Sequence, residues 1–107
     1  MIYELRIYET MPGRLPDLNA RFADHTLGFF KRHGIQVVGF WTEDIGTSNQ
    51  LIYMLGYDSL ADREKKWAAF QADPDWDKVR AESEKDGPIN ARVTNRLLRP
   101  TAYSPMQ

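Results

Sequence analysis

The chain has 107 residues and no cysteine, and its formal net charge is −1 at pH 7. This length fits a single domain, and the near-neutral charge gives no reason to expect nucleic acid, an anionic membrane or another polyanion as a partner. The absence of cysteine excludes disulfides, thiolate catalysis and cysteine-based metal centres. Neither a signal peptide nor an apolar run of the ~18–20 residues that cross a bilayer is visible, so we expect a cytoplasmic protein without a membrane partner.

The first predicted element is a strand over residues 2–10, IYELRIYET, with one unusual face. A half-buried strand shows one apolar and one solvated face. Here one face carries Ile2, Glu4, Arg6 and Tyr8, which is neither apolar nor simply polar. This mixture predicts that the charged and phenolic side chains are enclosed and need partners.

The spacing of apolar residues predicts a helix over residues 14–32. Pro16 fits its first turn, and Gly34 follows a basic last turn, as at many helix ends. One stripe of side chains is predicted to face the sheet, and it consists of Leu15, Leu18, Phe22, His25 and Phe29. The histidine therefore lies in the predicted buried stripe.

The remaining segments complete a βαββαβ order. Strands are predicted at 35–42, 51–57 and 91–99, and a second helix begins after Ser59, breaks at Asp73-Pro74 and runs to about Lys85. This order predicts an α+β, ferredoxin-like fold, in which helices cover one face of a four-stranded antiparallel sheet. We expect one domain over residues 1–100 and a C-terminal tail, 101–107, that leaves the domain or lies across a neighbour.

The central strands are apolar on both faces, although the helices cover only one. In the second strand, strict alternation places Val37 and Trp41 on one side and Phe40 on the other, and Ile52 and Met54 belong to the third strand. A monomer would then expose an apolar patch larger than the few hundred Å² usual for soluble proteins. The pattern predicts a homodimer through the open sheet face, with the sheets packed into an α/β barrel. Alternatively, the second helix or the tail covers that face.

Several segments resemble the NIPSNAP family, which belongs to the dimeric α/β-barrel superfamily. The similar segments are IYELRIYET, MPGRLPDL, KRHGIQVVGFWTEDIGTSNQLIYMLGYDSLADRE, DPDW and RLLRP, and together they span about Ile2 to Pro100. The resemblance implies the ferredoxin-like fold and the dimer, but no reaction. The wider superfamily includes cofactor-free monooxygenases, small-lactone isomerases and haem-handling enzymes, and these activities extend to this chain only by analogy of fold.

Three residues are candidates for catalysis. His25 could act as a base near pH 7, or it is a core histidine satisfied by a backbone carbonyl or a carboxylate. Arg6 and Tyr8 share a strand face and could hold an anionic small molecule. Alternatively, Arg6 pairs with Glu4 or across the dimer, and Tyr8 stacks on it.

Five further residues are candidates for ligand binding: Asn49, Trp41, Tyr53, Arg63 and Trp67. Each has a structural alternative. Arg63 lies beside Trp67 on the predicted inner face of the second helix, where it could stack on the indole or reach water. The aromatic residues fit a core or an interface, and Asn49 fits turn chemistry.

The sequence leaves two functional hypotheses. One is a small-molecule-binding dimer, as an acid–base enzyme or a cofactor-independent oxygenase acting on a small anionic or aromatic compound. The other is a non-enzymatic dimeric binding or scaffolding module. No metal site is predicted, because the two histidines, His25 and His33, are eight residues apart and point to different faces. No cofactor is predicted either, and a haem-ligating role for His25 stays open. A cavity of ~300 Å³ or more favours the first hypothesis, and closed, paired side-chain networks favour the second.

Overall fold

The computed structural model describes residues Met1–Gln107. The strands are β1 (Ile2–Thr10), β2 (Gln36–Trp41), β3 (Gln50–Tyr57) and β4 (Asn90–Leu98). The helices are α1 (Leu15–Arg21), α2 (Leu27–Arg32), α3 (Leu60–Gln71) and α4 (Pro74–Ser83), and a π-helical turn (Phe22–Thr26) joins α1 to α2. The sheet is antiparallel with the order β2-β3-β1-β4. The predicted α+β, ferredoxin-like fold is confirmed, and no helix is long and apolar enough to cross a membrane.

The sequence signals for helix ends act as expected. Ser59 precedes α3 and its Oγ accepts a hydrogen bond from the Asp62 amide at 3.1 Å. Asp73 caps α4 in the same way, accepting from the Asp75 amide at 2.9 Å. Such caps satisfy amides that have no partner within the helix. Gly34 ends α2 with a φ of +69°, a conformation that favours glycine.

Aromatic side chains fill the core between the sheet and the helices. Tyr53 of β3 is fully buried and stacks on Phe40 of β2, with ring centroids 5.0 Å apart. Phe22 and Phe30 contact Tyr53 from the helical side, at centroid distances of 5.1 and 6.3 Å. A cluster of large rings in mutual contact therefore forms the centre of the core.

A β-bulge changes the predicted alternation of β2. The register with β3 shifts between Val37 and Gly39, so that Val38 is an extra residue. As a result Val37 and Phe40 both pack against the helix-covered core, while Trp41 lies on the opposite, open side with 51% of its surface exposed. The prediction that Val37 and Trp41 share a face is wrong for this reason.

The π-helical turn changes the predicted stripe of the first helix. Leu18, Phe22, Thr26 and Phe29 are buried, whereas His25 is exposed. A π-helical turn holds more residues than an α-helical turn, so the chain after Phe22 is rotated away from the uninterrupted helical pattern. The prediction that His25 faces the sheet is therefore wrong, and Thr26 occupies the buried position.

The sheet face opposite the helices is only partly covered within the chain. The tail, residues 101–107, folds back on one end of this face, where the Tyr3 phenol donates a hydrogen bond to the Gln107 carbonyl at 2.6 Å. The tail thus lies on its own sheet instead of leaving the domain. The rest of the face carries apolar side chains that are partly buried or exposed: Leu5, Ile7, Trp41, Ile52, Met54 and Leu98.

Candidate functional site

The Glu4 carboxylate of β1 is the centre of a closed network of charges between the sheet and α3. Glu4 is 1% exposed. Its Oε2 accepts hydrogen bonds from Arg6 Nη1 at 2.9 Å, Arg63 Nη2 at 3.0 Å and Asn95 Nδ2 at 2.8 Å. Its Oε1 accepts another from Arg63 Nε at 3.2 Å. Both carboxylate oxygens therefore have partners within the chain.

Neighbouring groups keep both Glu4 and Arg6 ionised inside the protein. Burial alone would raise the pKa of Glu4, but hydrogen bonds from Arg63 and Asn95 and the charge of Arg6 hold this pKa below its usual value. Burial also opposes the charge of Arg6, yet the neighbouring phenols and Glu4 raise the pKa of Arg6. The Arg6 guanidinium lies 4.3 Å from the ring centroid of Trp67. Arg6, Arg63 and Trp67 are thus occupied by contacts within the protein.

The phenols of Tyr53 and Tyr8 continue this network from Arg6. Arg6 Nε donates to Tyr53 Oη at 2.8 Å, and Tyr53 Oη donates to Tyr8 Oη at 2.8 Å. A second, longer hydrogen bond joins Arg6 Nη2 to Tyr8 Oη at 3.4 Å. Tyr53 is fully buried, and this burial raises the pKa of its phenol. Tyr8, in contrast, reaches the wall of a cavity.

This cavity, of about 400 Å³, lies between the sheet and the helices at the β4 side. Its wall combines apolar side chains, chiefly Phe22, Phe30, Phe70 and Val93, with polar ones, chiefly Tyr8, Arg21, Trp76 and Asn90. Val93 of the edge strand β4 is 44% exposed because no helix covers it. The cavity is therefore accessible from solvent along this edge.

Three residues of this wall contribute buried polar atoms that have no hydrogen-bond partner within the chain. They are Arg21 Nε, Trp76 Nε1 and Asn90 Oδ1, out of five such side-chain atoms in the protein. Buried polar groups are nearly always paired, and leaving one unpaired costs about 1–3 kcal/mol. Two donors and one acceptor of residues beside the cavity are therefore left unsatisfied within the chain.

Arg21 brings a positive charge to the wall. It is 7% exposed, its Nη1 donates to Ser83 Oγ at 3.2 Å, and the nearest carboxylate oxygen, of Glu84, is 3.6 Å away. Burial lowers the pKa of Arg21, against the opposing charge of Glu84. Because a guanidinium stays protonated in proteins, this partly desolvated cation favours a bound anion.

The π-helical turn fixes the position of Arg21. Arg21 is the last residue of α1, and its carbonyl accepts a hydrogen bond from the buried Thr26 hydroxyl at 3.3 Å. The same turn brings Phe22 and Thr26 to the cavity wall. Single turns of this kind interrupt α-helices frequently at functional sites.

A second groove, of about 450 Å³, lies between α1 and α4 and contains His25. It is lined mainly by charged side chains at the surface, and several of them pair with one another, as Arg14 does with Asp17 at 2.7 Å. Apart from Arg21, which lies between the two spaces, the unpartnered atoms described above line only the cavity beneath the helices. We therefore place the candidate site in that cavity.

The remaining predicted site residues lie elsewhere. Trp41 is on the open sheet face. Asn49 has a φ of +60°, and its carbonyl accepts a hydrogen bond from the Thr10 amide at 2.7 Å, which fits a turn role. Of the eight residues predicted to form a site, Tyr8 alone lines the cavity.

Sequence reasoning missed three wall residues, which are Arg21, Trp76 and Asn90. Arg21 follows the buried Leu18 by three residues, a spacing that could have placed it on the inner face of the helix. No local pattern brings Trp76 and Asn90 together, because they belong to different elements, α4 and β4.

Sequence comparison identifies relatives over nearly the whole chain. The model of the NIPSNAP family matches residues 3–105. A NipSnap homologue of Caenorhabditis elegans is 26% identical over 106 residues, which are 99% of this chain and 19% of that protein. The chain thus spans about a fifth of the length of this curated relative.

Solved structures lead to the same family. A NIPSNAP family protein of unknown function from Agrobacterium tumefaciens is 27% identical, with a TM-score of 0.88 over 100% of this chain and 94% of its own. A NIPSNAP-like domain protein from Burkholderia xenovorans is 28% identical, with a TM-score of 0.86 over 97% of this chain and 88% of its own. A candidate antibiotic biosynthesis monooxygenase of Deinococcus radiodurans, 8% identical with a TM-score of 0.61, shares the ferredoxin-like fold alone. On the family match along its length, this chain belongs to the NIPSNAP family.

Proposed function

We propose that the protein binds a small anionic compound in the cavity between the sheet and the helices. The observation that carries this proposal is that Arg21, Trp76 and Asn90, each with a buried polar atom that lacks a partner in the chain, line one cavity. A volume of about 400 Å³ lies within the range of ~300–1,000 Å³ usual for small-molecule sites.

The wall also suggests how such a compound is oriented. Its anionic group contacts Arg21, since a guanidinium suits carboxylates. Its body packs on the rings of Phe22, Phe30 and Phe70, which favours a planar or apolar shape. Trp76 then donates a hydrogen bond and Asn90 accepts one.

The finer hypothesis is an acid–base enzyme or a cofactor-independent oxygenase acting on this compound. The support for it is the phenol of Tyr8 on the cavity wall, since a positioned phenol transfers or shares protons. His25 has no part in this proposal, because it is exposed outside the cavity.

We further propose that the protein is a homodimer, with a second copy on the open sheet face. The support is the apolar surface around Trp41, which is 51% exposed, and around its pairing partner Ile52, which is only partly buried. Light scattering at micromolar concentration is expected to give twice the chain mass of 12.4 kDa. A mass of 12.4 kDa would refute the proposal.

A second candidate function is a non-enzymatic dimeric binding or scaffolding module. The closed network around Glu4 favours it, since Arg6 and Arg63 find their partners within the chain. In this reading the enclosed charges of β1 specify the packing of α3 on the sheet, and no ligand is needed.

Binding of benzoate and of its neutral amide, benzamide, separates the two candidate functions, which are the binding of a small anion and the non-enzymatic module. By ligand-observed NMR, the parent is expected to bind benzoate more tightly than benzamide. The Arg21→Gln variant should lose roughly tenfold in affinity for benzoate and little for benzamide, because a hydrogen bond to a charged group contributes about 1.5–3 kcal/mol.

The matched control is Arg92→Gln, which removes an exposed arginine outside the cavity. It should bind both compounds like the parent. Equal benzoate affinity in the parent and in Arg21→Gln would refute the assignment of Arg21. Absence of binding across a set of small aromatic carboxylates would favour the non-enzymatic module.

A further inference from the structure

We propose that Arg6, Tyr53 and Tyr8 form a hydrogen-bond relay that presents the phenol proton of Tyr8 to an anionic oxygen of the ligand, so that the cavity selects compounds with a phenol or enol group. This inference rests on the proposed function, because it concerns a ligand of the same cavity. It adds the chemical class of that ligand and the residues that recognise its ionised oxygen.

The direction of the relay follows from burial. Tyr53 Oη accepts a hydrogen bond from Arg6 Nε at 2.8 Å, and an arginine can only donate. Tyr53 is fully buried, and the single acceptor within reach of its own proton is Tyr8 Oη, at 2.8 Å. The proton of Tyr53 therefore points to Tyr8, and the reverse arrangement would leave it buried without an acceptor.

The last residue of the relay, Tyr8, lines the cavity. Tyr8 Oη accepts from Tyr53 and, at 3.4 Å, from Arg6 Nη2, while its own hydroxyl donates to no acceptor in the chain. Tyr8 lines the cavity, and its ring is held by Phe22 and Tyr53, at centroid distances of 5.8 and 5.2 Å. The free donor is thus fixed in orientation before any ligand arrives, which is the arrangement that stabilises an oxyanion most effectively.

The charges around the relay favour a negative oxygen at this point. The buried network contains one carboxylate, Glu4, and two guanidiniums, Arg6 and Arg63, and the outer partner of Arg63 is the exposed Glu64. On the cavity side, Arg21 and Arg80 face a single carboxylate, Glu84. The cavity side therefore carries a surplus of positive charge, whereas the buried network together with Glu64 is neutral, and the low dielectric around the buried groups strengthens the effect of that surplus.

A phenol or enol is the group that uses such a donor best. Its ionised form accepts a strong hydrogen bond from Tyr8, whereas its neutral form gains less from the same contact. Asn90 Oδ1 and Trp76 Nε1 remain for other polar atoms of the compound, and Arg21 for a carboxylate. Hydroxylated aromatic acids and enolisable keto acids combine these features.

The probe for the test is 4-nitrophenol, because its absorption spectrum distinguishes the phenol from the phenolate. Spectrophotometric titration of the probe at several pH values gives its affinity in each form. The parent is expected to bind the phenolate more tightly, so that the bound probe ionises at a lower pH than the free probe. The Tyr8→Phe variant should bind the phenolate roughly tenfold or more weakly, and the pH at which the bound probe ionises should move back towards that of the free probe.

Two further variants separate the relay from general effects on the fold. Tyr53→Phe removes the link to Arg6 without changing the cavity wall, so the preference for the phenolate should fall to a value between those of the parent and of Tyr8→Phe. Tyr57→Phe is the matched control, since it removes another buried phenol of β3 that lies outside the cavity and the relay. It should bind the probe like the parent.

Each outcome supports or overturns the inference. An unchanged preference for the phenolate in Tyr8→Phe overturns it, and so does a parent that binds benzoate but not 4-nitrophenolate, while the proposed function stands in both cases. A parent that binds neither compound overturns both proposals. If Tyr8→Phe does not fold, Tyr53→Phe decides, and a preference equal to that of the parent overturns the relay.

Discussion

Neutralising Glu4 tests whether the enclosed charges of β1 stabilise the fold. In Glu4→Gln the carboxylate charge is lost, while one side-chain oxygen remains to accept a hydrogen bond. Arg6, which is 7% exposed, then keeps its positive charge without a carboxylate partner. Breaking a buried ion pair at one partner costs about 3–5 kcal/mol, and the retained oxygen places the expected loss near the lower end, at about 3 kcal/mol.

The assay is urea unfolding followed by tryptophan fluorescence, with all variants at the same protein concentration. The matched control is Glu9→Gln, on the same strand but on its other face. Glu9 is 44% exposed in its side chain, and the nearest cation, Arg92, is 3.8 Å away, so the control should change the free energy of unfolding by less than about 0.5 kcal/mol.

A double variant, Glu4→Gln with Arg6→Met, isolates the contribution of the Glu4–Arg6 ion pair to stability. Once both charges are removed, the guanidinium that depended on Glu4 for a carboxylate partner is gone, and Arg63 keeps Glu64 at 2.7 Å, so the two single losses should not add. The double variant is expected to be at least as stable as Glu4→Gln alone. If Glu4→Gln were as stable as Glu9→Gln, the reasoning about the enclosed network would be wrong.

Three further variants test single features of the fold. Tyr57→Phe removes a buried hydroxyl without a partner, so the free energy of unfolding should rise by about 1 kcal/mol, and a loss of that size would contradict the assignment. The hydrogen bond from His33 is the main cause that lowers the pKa of Asp73, from 3.8 to about 2. The stability that this carboxylate contributes is therefore present above about pH 4 and is lost as the pH falls towards 2, so the difference in urea midpoint between the parent and Asp73→Asn should shrink over this window. A constant difference would show that Asp73 does not titrate there. Asn49 has a φ of +60°, so Asn49→Ala should lose roughly 1 kcal/mol in thermal or urea unfolding and Asn49→Gly much less, whereas equal losses would contradict a backbone effect.

The fold was predictable from the sequence because its signals are local. Ser59 and Asp73 mark helix starts, Gly34 marks a helix end, and the predicted boundaries of all four strands agree with the structure to within about one residue. The mixed face of β1 also predicted enclosed charges correctly, since a carboxylate and a guanidinium two residues apart share one side of a strand.

Most of the candidate site was not predictable, for reasons that are equally physical. The π-helical turn exposes His25 and buries Thr26, and no residue type signals such a turn in advance. The sequence alone does not distinguish an arginine that binds a ligand from one, such as Arg6, that pairs with a neighbouring carboxylate. Asn90 of β4 and Trp76 of α4 line the same cavity, an arrangement that depends on the whole fold.

The indole N–H of Trp76 provides the most direct test of the proposed cavity. The protein has three tryptophans; Trp76 lines the cavity, and its indole N–H is buried without a partner. In a ¹H–¹⁵N spectrum assigned with Trp→Phe variants, adding benzoate is expected to shift the Trp76 indole resonance most, and to leave that of Trp41, on the open sheet face, unchanged. A titration in which benzoate binds and the Trp76 resonance does not move would contradict the account.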